Sequence, residues 1–363
     1  KIEMFKFYPA KELLKKVMRS QIETGMPYIA FKDTLNKYNP NKHDGVIVGT
    51  NLCTESHSNV RPSEFGDPRS ENGKIIRESS EGLVHVCNLV SINLANVDTD
   101  EELESICQTS VRILDNAIDF TEVPVLEGRE HNLRYRTIGV GAMGLADFLA
   151  KRNIPYISSA EYVDELFEKM ALYNIRASIQ TAKEKGTFKA YKGSDWSKGI
   201  ILGHDQIWFN KNSRQTKAWN QVFKDLAQYG IRNSQISATS SSLIQGCSAS
   251  VLPIYSKFFV ETHGKGSIPN CPPFIRDKFW FYQENRNINQ KVVIDIMSRI
   301  NKWIDTGISI ELMYNLNRNI KAVDIYETIM DAWKKDIKTL YYTRTIQKDG
   351  SSLEKEECVS CAG

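Results

Sequence analysis

Hydrophobic side chains recur at helical spacing in six segments of the chain. Two of these segments begin with a predicted capping box, Thr99-x-x-Glu102 and Ser158-x-x-Glu161, in which side chains satisfy the first free N–H groups of a helix. Apolar residues then follow every three or four positions, which is the period of an amphipathic helix, and the second segment continues to about Gly186. The other helices are predicted over residues 10–24, 214–229, 290–305 and 323–337.

Short apolar runs lie between these helices and have the length of β-strands. The longest, residues 82–93, has the composition of a buried strand. Helices that alternate with short apolar strands are typical of α/β proteins with largely parallel strands. The shorter predicted strands are residues 46–48, 251–255, 308–312 and 339–343. From residue 346 onward the sequence is polar and aperiodic, which predicts a flexible tail.

The composition is that of an ordinary globular protein. Of 363 residues 41% are hydrophobic, and 47 basic against 44 acidic side chains give a net charge of +3. The charges are mixed along the chain, so bulk binding of nucleic acid is not expected. No uncharged apolar run reaches the roughly 18 residues that predict a membrane-spanning helix. The seven cysteines are an odd number, which favours thiol chemistry over a structural disulfide set.

The first candidate site combines an amide, a thiol and a carboxylate at alternate positions. Asn51, Cys53 and Glu55 follow the predicted strand at 46–48 and enter a loop, where functional residues concentrate. In an extended segment these three side chains share one face. Such a face suits a substrate held by the amide, a reactive thiol, and a carboxylate that moves a proton. The alternative is a buried structural cysteine beside polar surface residues.

Two further segments carry thiol and hydroxyl groups. Cys87 lies in the strand-like run, where a buried structural thiol is the default, and it gains interest only if it faces Cys53. Thr239, Ser240 and Ser241 belong to a hydroxyl-rich run that enters a predicted helix. The N–H groups at a helix N-terminus bind anions, so this run suits a phosphate group. A Ser/Thr-capped turn without a ligand is the alternative.

A pair of tyrosines and a pair of cysteines lie towards the end of the chain. Tyr341 and Tyr342 are strand-forming residues, with a structural role by default. Stacking adjacent strand residues requires an irregular backbone, and such a stack would suit transfer of an electron and a proton between phenols. Cys358-x-x-Cys361 lacks a second ligand pair for zinc, so a mobile redox dithiol is favoured over an incidental pair. The six histidines have no metal-ligand spacing, and no metal site is predicted.

Taken in order along the chain, these segments resemble one family, the catalytic large subunit of aerobic class I ribonucleotide reductase. Each segment alone is a weak match, whereas the ordered series is specific. The segments that carry the resemblance are SQIETGMPYIAFKD, GTNLCTE, VCNLVSINL, IGVGAMGLADFL, ATSSSLIQG, KTLYYTRT and CVSCAG. One departure is Ser237, which stands where the family often has a proline in the phosphate-binding turn.

The resemblance implies a fold and a division of the chain. Residues 1–345 would form the C-terminal half of a ten-stranded α/β barrel, with an inward finger loop that carries the radical cysteine. Residues 346–363 would form a flexible redox tail. The N-terminal half of the family, with its effector-binding regions, first barrel strands and second reducing cysteine, is not visible in this sequence. We therefore expect a split subunit that reassembles with a separate N-terminal half, and a truncated chain or decayed remnant is the competing explanation.

The resemblance also implies a role for each candidate residue. Cys53 would become a thiyl radical that takes the 3′ hydrogen of a ribonucleotide. Glu55 would accept the 3′-hydroxyl proton, and Asn51 would hold the ribose hydroxyls. Cys87 would be one of two thiols that reduce the 2′ position. The remaining implied roles are binding of the substrate diphosphate by Thr239, Ser240 and Ser241, radical transfer through Tyr342 and Tyr341, and reduction of the active-site disulfide by Cys358 and Cys361.

The implied activity is reduction of ribonucleoside diphosphates to deoxyribonucleoside diphosphates, by an enzyme that is inactive as an isolated chain. No cofactor binds this chain directly in that scheme. The radical would come from a small subunit with a pair of iron or manganese ions, and thioredoxin or glutaredoxin would recharge the tail. Neither a nucleic-acid polymer nor a membrane is an expected partner. The expected location is the cytoplasm, which is the host cytoplasm for a phage-encoded chain.

Two alternatives remain open. A cobalamin-dependent reductase shares the cysteine loop and the barrel, but it generates its radical locally and does not need Tyr341 and Tyr342. A non-catalytic remnant would keep the fold and bind nucleotide or the small subunit. Decay strikes reactive residues first, and the retention of Cys53, Glu55 and Cys87 argues against the remnant.

Overall fold

Helices and short strands alternate along the chain, as the hydrophobic pattern predicts. The computed structural model describes residues 7–80, 82–239, 246–263 and 266–346. Its α-helices are α1 (Ala10–Thr24), α2 (Lys32–Lys37), α3 (Asp100–Phe120), α4 (Leu126–Tyr135), α5 (Leu145–Lys151), α6 (Ala160–Lys185), α7 (Gln206–Asn212), α8 (Thr216–Tyr229), α9 (Ile275–Lys278), α10 (Gln290–Asn301) and α11 (Ala322–Lys334). Its strands are β1 (Ile29–Ala30), β2 (Glu64–Phe65), β3 (Arg69–Glu71), β4 (Lys74–Ile76), β5 (Ser79–Ser80), β6 (Leu89–Asn93), β7 (Gly139–Met143), β8 (Phe259–His263), β9 (Gly266–Asn270), β10 (Leu312–Asn315), β11 (Thr339–Leu340) and β12 (Thr343–Ile346).

The predicted amphipathic helices all form, and one of the two predicted capping boxes is present. At the start of α3, the Glu102 N–H donates to Thr99 Oγ1 at 3.2 Å, and the Thr99 N–H donates to Glu102 Oε2 at 3.2 Å. The second predicted capping box is wrong. α6 begins at Ala160, and its N-cap residue Ser159 turns its hydroxyl to the Tyr156 carbonyl at 2.7 Å.

Five strand segments lie side by side at the centre of the fold. β6 and β7 are parallel, and the segment 235–239 follows β7 through a 2.8 Å hydrogen bond from the Val140 N–H to the Ile236 carbonyl. Thr239, at the end of segment 235–239, forms a parallel bridge with Ile308. The chain continues from Ile308 into β10, and β10 pairs in parallel with β12. Gly141 permits this close approach, since a Cβ there would lie 2.0 Å from a carbonyl oxygen of segment 235–239. The predicted α/β class is confirmed, and the central pairs β6–β7 and β10–β12 are parallel. The expectation of largely parallel strands is wrong for the rest, because β1–β11, β2–β5, β3–β4 and β8–β9 are antiparallel, and the strands among the described residues do not close a barrel.

The helices bury an extensive apolar core against these strands. α6 is the central helix and packs against α3, α8 and α10. Trp196, Trp219 and Trp303 are among the largest fully buried side chains. In the part of the chain that the structure describes, no helix combines the length and the apolar character needed to cross a membrane.

Two predicted strands are absent from the described backbone. At residues 46–48, the Asn36 side chain accepts a hydrogen bond from the Ile47 N–H at 2.8 Å and donates one to the Ile47 carbonyl at 2.9 Å. This amide takes the place of a partner strand, so Ile47 is buried while its two valine neighbours remain exposed. Residues 251–255 contain only an isolated bridge, and within 82–93 the strand is limited to β6.

A buried carboxylate joins two of the central segments. Asp305 accepts hydrogen bonds from the N–H groups of Ile236 and Ser237 at 2.8 and 2.9 Å. Burial raises the pKa of Asp305 to about 6, while these hydrogen bonds and the nearby Lys338 oppose the rise. Burial also lowers the pKa of Lys338 to about 7, and its amine donates to a backbone carbonyl beside Asp305 at 2.7 Å. The start of the 305–309 segment is therefore fixed to segment 235–239 by side-chain as well as backbone hydrogen bonds.

Replacing Asp305 with asparagine is expected to destabilise the protein. The amide offers one acceptor oxygen for two backbone N–H groups, so one buried donor loses its partner at a cost of about 2 kcal/mol at neutral pH. Because the wild-type carboxyl has a raised pKa, its contribution to stability is full below about pH 4 and is lost as the pH rises through about 6. Urea unfolding should show that the difference in free energy of unfolding between wild type and variant becomes smaller as the pH rises over this range.

Asp295→Asn is the matched control. The Asp295 carboxylate lies 3.1 Å from the Lys335 amine and is 42% exposed. Its replacement should change the free energy of unfolding by less than about 1 kcal/mol. If the difference in free energy of unfolding between wild type and the Asp305 variant grew with rising pH, that result would contradict the raised pKa of Asp305.

Candidate active site

The loop at residues 49–59 turns back on itself around Asn51. The Asn51 N–H donates to the Ser56 carbonyl at 2.9 Å, and the Ser56 N–H donates to Asn51 Oδ1 at 3.0 Å. Thr54 has a φ of 68°, in the left-handed region that tight turns use. The expectation of an extended segment is therefore wrong. The turn still brings the Asn51 amide to Glu55 Oε1, at 2.9 Å.

Gly307 and Ser309 hold this loop against the central strands. The Gly307 N–H donates to the Glu55 carbonyl at 2.8 Å, and a Cβ on residue 307 would lie 2.5 Å from a carbonyl oxygen of the loop. Ser309 Oγ lies 2.8 Å from the Cys53 carbonyl oxygen and 3.1 Å from Glu55 Oε2. The buried Glu55 carboxylate thus accepts a hydrogen bond from Asn51 at one oxygen, while the single hydrogen of the Ser309 hydroxyl is shared between its other oxygen and the Cys53 carbonyl.

A cluster of three tyrosine rings contacts the Cys53 thiol through Tyr341. The Tyr341 hydroxyl is 3.8 Å from Cys53 Sγ, and the Tyr341 and Tyr342 ring centroids are 4.4 Å apart at an interplanar angle of 62°. The two residues lie between β11 and β12, where the backbone is irregular, as packing of adjacent rings requires. Tyr28 completes the group, with centroid distances of 4.6 Å to Tyr341 and 4.9 Å to Tyr342.

Burial makes the phenols of this group hard to ionise. The pKa of Tyr341 is raised well above its ordinary value, first by burial and then by its hydrogen bond with Cys53. The pKa of Tyr28 is also raised, mainly by burial. Both phenols therefore keep their O–H hydrogens across the physiological pH range, so electron transfer from either one requires that its proton move as well.

Cys87 lies beside the same loop. Its side chain is exposed to solvent on the segment that leads into β6. Partial burial of the thiol raises the pKa of Cys87, and the charges of Glu55 and Cys53 raise it further. Hydrogen bonds with Ser56 and Asn51 oppose that rise. Cys87 is therefore close enough to Asn51, Glu55 and Ser56 for them to influence its thiol, and the net effect is a raised pKa of Cys87.

Of Thr239, Ser240 and Ser241, the structure describes Thr239. It is buried at the end of segment 235–239, and its backbone hydrogen-bonds to the strand that carries the loop contacts. Its hydroxyl has no hydrogen-bond partner among the described residues, which leaves it available to a ligand. Ser240, Ser241, Cys358 and Cys361 lie outside the described residues.

Sequence reasoning does not single out Ser309 or Tyr28. Ser309 lies in the predicted strand at 308–312, whose apolar pattern marks it only as a strand residue. Tyr28 lies in the segment SQIETGMPYIAFKD, where only its position in that motif draws attention to it. The assembled group contains a thiol, a carboxylate and a phenol within a few ångströms. Such a group suits transfer of a hydrogen atom between phenol and thiol, with the carboxylate as a proton acceptor.

Comparison with known proteins assigns this arrangement to a family. The family model described as "Ribonucleotide reductase, barrel domain" matches residues 3–278 and 265–343. A ribonucleoside-diphosphate reductase subunit alpha from Synechocystis sp. is 45% identical, over 99% of this chain and 46% of the relative. The subunits alpha from Helicobacter pylori (strain J99) and Treponema pallidum are 31% and 32% identical, over 97% and 98% of this chain and 51% and 42% of the relative.

The chain spans about half the length of the curated relatives that it matches. Within the chain, by contrast, the family match runs through the cysteine loop, β6, β7, the hydroxyl-rich run and the tyrosine pair. The resemblance inferred from the ordered motifs is therefore confirmed. The chain belongs to the ribonucleotide reductase family, as a C-terminal part of the large subunit that matches the family's barrel-domain model.

Proposed function

We propose that this chain supplies the radical thiol and one reducing thiol of a ribonucleotide reductase that converts ribonucleoside diphosphates to deoxyribonucleoside diphosphates. The contact between the Tyr341 hydroxyl and Cys53 Sγ, at 3.8 Å, carries the proposal. A neutral phenol beside a thiol allows an electron and a proton to pass together, so a tyrosyl radical at 341 takes the thiol hydrogen and leaves a thiyl radical on Cys53. Tyr342 would be the preceding donor, because its ring packs on Tyr341.

The groups around Cys53 match the remaining steps of thiyl-radical chemistry. The Cys53 radical would take the 3′ hydrogen, while Glu55 accepts the 3′-hydroxyl proton and Asn51 holds the ribose hydroxyls. The Glu55 carboxylate suits this role because Asn51 donates to one of its oxygens and the Ser309 hydroxyl lies 3.1 Å from the other. The 2′ hydroxyl then leaves as water, and two thiols supply two electrons and become a disulfide. Cys87 is one of these thiols, and Cys53 returns the 3′ hydrogen at the end.

The hydroxyl-rich run would bind the substrate diphosphate, and the tail would accept electrons from the external reductant. Thr239, Ser240 and Ser241 would bind the diphosphate, and the unpartnered hydroxyl of Thr239 supports that role. Cys358 and Cys361 would reduce the active-site disulfide and be recharged by cytoplasmic thioredoxin or glutaredoxin. No cofactor needs to bind this chain, since a small subunit with an iron or manganese pair would supply the radical.

The rest of the large subunit is the further partner in this proposal. Among the described strands β6 pairs only with β7, which leaves its other edge open to another strand. Val84 and Leu52, near β6 and the cysteine loop, are exposed apolar residues that such a partner would cover. We infer that the five central segments form half of a ten-stranded barrel around the 49–59 loop. The remaining strands and the second reducing cysteine would come from the other half, on this polypeptide or on a separate one.

Reconstitution tests the activity. The chain alone should reduce no nucleotide, whereas the chain with the rest of the large subunit, a radical-generating small subunit and a dithiol should convert a ribonucleoside diphosphate to its deoxy form. Cys53→Ser should abolish turnover because a serine hydroxyl does not form the radical under these conditions. Cys271→Ser, at an exposed cysteine remote from the loop in sequence, is the matched control and should remain active. Full activity of the Cys53 variant would refute the proposal.

A tyrosine substitution separates the proposal from its alternatives. Tyr342→Phe should abolish turnover if the radical arrives through the tyrosine pair, because phenylalanine has no O–H to oxidise. Tyr326→Phe, on α11, is the matched control and should retain turnover. An active Tyr342 variant that requires cobalamin would favour local radical generation. A Cys53→Ser variant that retains the biological effect of the chain would favour a non-catalytic binding role.

A further inference from the structure

A small internal cavity lies between α6 and the end of segment 235–239. The centre of a water molecule can occupy about 10 Å³ of it, which is room for one water. Asn174 on α6 forms one polar wall, and Ser237 and Thr239 on the segment form another. Apolar side chains, Trp303 among them, form the rest, and all of these residues are buried. The cavity is therefore enclosed by protein and polar on both the helix side and the strand side.

Two buried oxygens in these walls have no hydrogen-bond partner among the described residues. They are Asn174 Oδ1 and Thr239 Oγ1, on residues that are 1% and 0% exposed. Such atoms are rare in folded proteins, because burial removes their hydrogen bonds to solvent and leaves nothing in return. An amide oxygen only accepts hydrogen bonds, whereas a hydroxyl both donates and accepts. A ligand for this pair must therefore be small and must donate hydrogen bonds.

We propose that one water molecule bound in this cavity bridges Asn174 Oδ1 and Thr239 Oγ1. Water meets both conditions, since it is small enough and has two hydrogens to donate. Ser237, in the same wall as Thr239, offers a third polar contact, which is the number that a buried water typically makes. No charged side chain lines the cavity in the described part of the chain, which argues against a metal ion or an anion as the ligand.

The bound water fixes the end of this segment to the central helix. The Thr239 N–H donates to the Gly307 carbonyl, and the Ser309 N–H donates to the Thr239 carbonyl, both at 3.2 Å. Gly307 and Ser309 are the residues that hold the cysteine loop. Asn174 therefore supports, through the water, the point at which the hydroxyl-rich run begins beside that loop.

The bridge is compatible with the diphosphate role proposed for Thr239. The water donates one hydrogen to Thr239 Oγ1 and the other to Asn174 Oδ1, so the Thr239 hydroxyl keeps its own hydrogen for a phosphate oxygen. The water site itself does not rest on the proposed function, because none of its contacts involves a nucleotide.

Urea unfolding of the full chain tests the bridge through a pair of apolar substitutions. Thr239→Val keeps the size of the side chain and removes its hydroxyl, and Asn174→Leu removes the amide. Each single variant leaves the other oxygen buried with an incomplete set of hydrogen bonds, and should raise the unfolding equilibrium constant about tenfold. In the double variant both ends are apolar and the water leaves, so the increase should stay near tenfold and not reach about a hundredfold.

Thr181→Val is the matched control on α6. The Thr181 hydroxyl donates to the Ala177 carbonyl at 2.9 Å, and this residue does not line the cavity. Combined with Asn174→Leu, it should give the product of the two single effects. If the pair at 174 and 239 also gave the product of its single effects, the proposal would be overturned.

A high-resolution crystal structure of the full chain separates a water bridge from a direct contact. Wild type should show a density peak within about 3.0 Å of both Asn174 Oδ1 and Thr239 Oγ1, and the double variant should lack it. A wild-type cavity without density, or a direct hydrogen bond between the two side chains, would overturn the proposal. Neither measurement needs substrate or radical, so the outcome does not depend on whether the chain supports nucleotide reduction.

Discussion

The geometry of the site depends on the buried Asp305 carboxylate. It accepts two backbone hydrogen bonds from segment 235–239 and thereby aligns the chain from 305 onward beside it. Two and four residues later, Gly307 and Ser309 fix the cysteine loop through the Glu55 carbonyl, the Glu55 carboxylate and the Cys53 carbonyl. An error of one residue in this register would remove both contacts. One buried group therefore links the hydroxyl-rich run to the loop that carries the thiol.

The helices were the most predictable part of the fold because their information is local. An apolar stripe and a cap lie within one segment, as in α3, where Thr99 and Glu102 form the expected box. Strands were less predictable, because an apolar run becomes a strand only if another strand lies beside it. Residues 46–48 have the right composition, but the Asn36 side chain satisfies the Ile47 backbone and no ladder forms. A side chain eleven positions away satisfies this backbone, and the hydrophobic periodicity of the sequence does not indicate such a contact.

Motif order selected candidate residues that the structure brings together, although their local geometry differs from the expectation. Asn51, Cys53 and Glu55 come together as expected, although by a turn and not by an extended strand. Ser309 was not predictable from pattern, because its contacts to Cys53 and Glu55 span more than 250 residues. The same holds for the Tyr28 ring, which meets Tyr341 from the far end of the chain. Such contacts arise from the packing of the strands and leave no mark on the sequence around each residue.

The two thiols near the loop have surroundings that suit different work. Cys53 is partly buried, is held through its backbone by Ser309, and lies against a phenol that remains protonated. Those conditions favour loss of a hydrogen atom and restrict access by other thiols. Cys87 is exposed, so a mobile partner can reach it, while partial burial of the sulfur and the nearby Glu55 charge hold the pKa of its thiol above the ordinary value. The contrast between them therefore lies in exposure and contact: Cys87 is open to an exchange partner, whereas Cys53 lies against the Tyr341 hydroxyl.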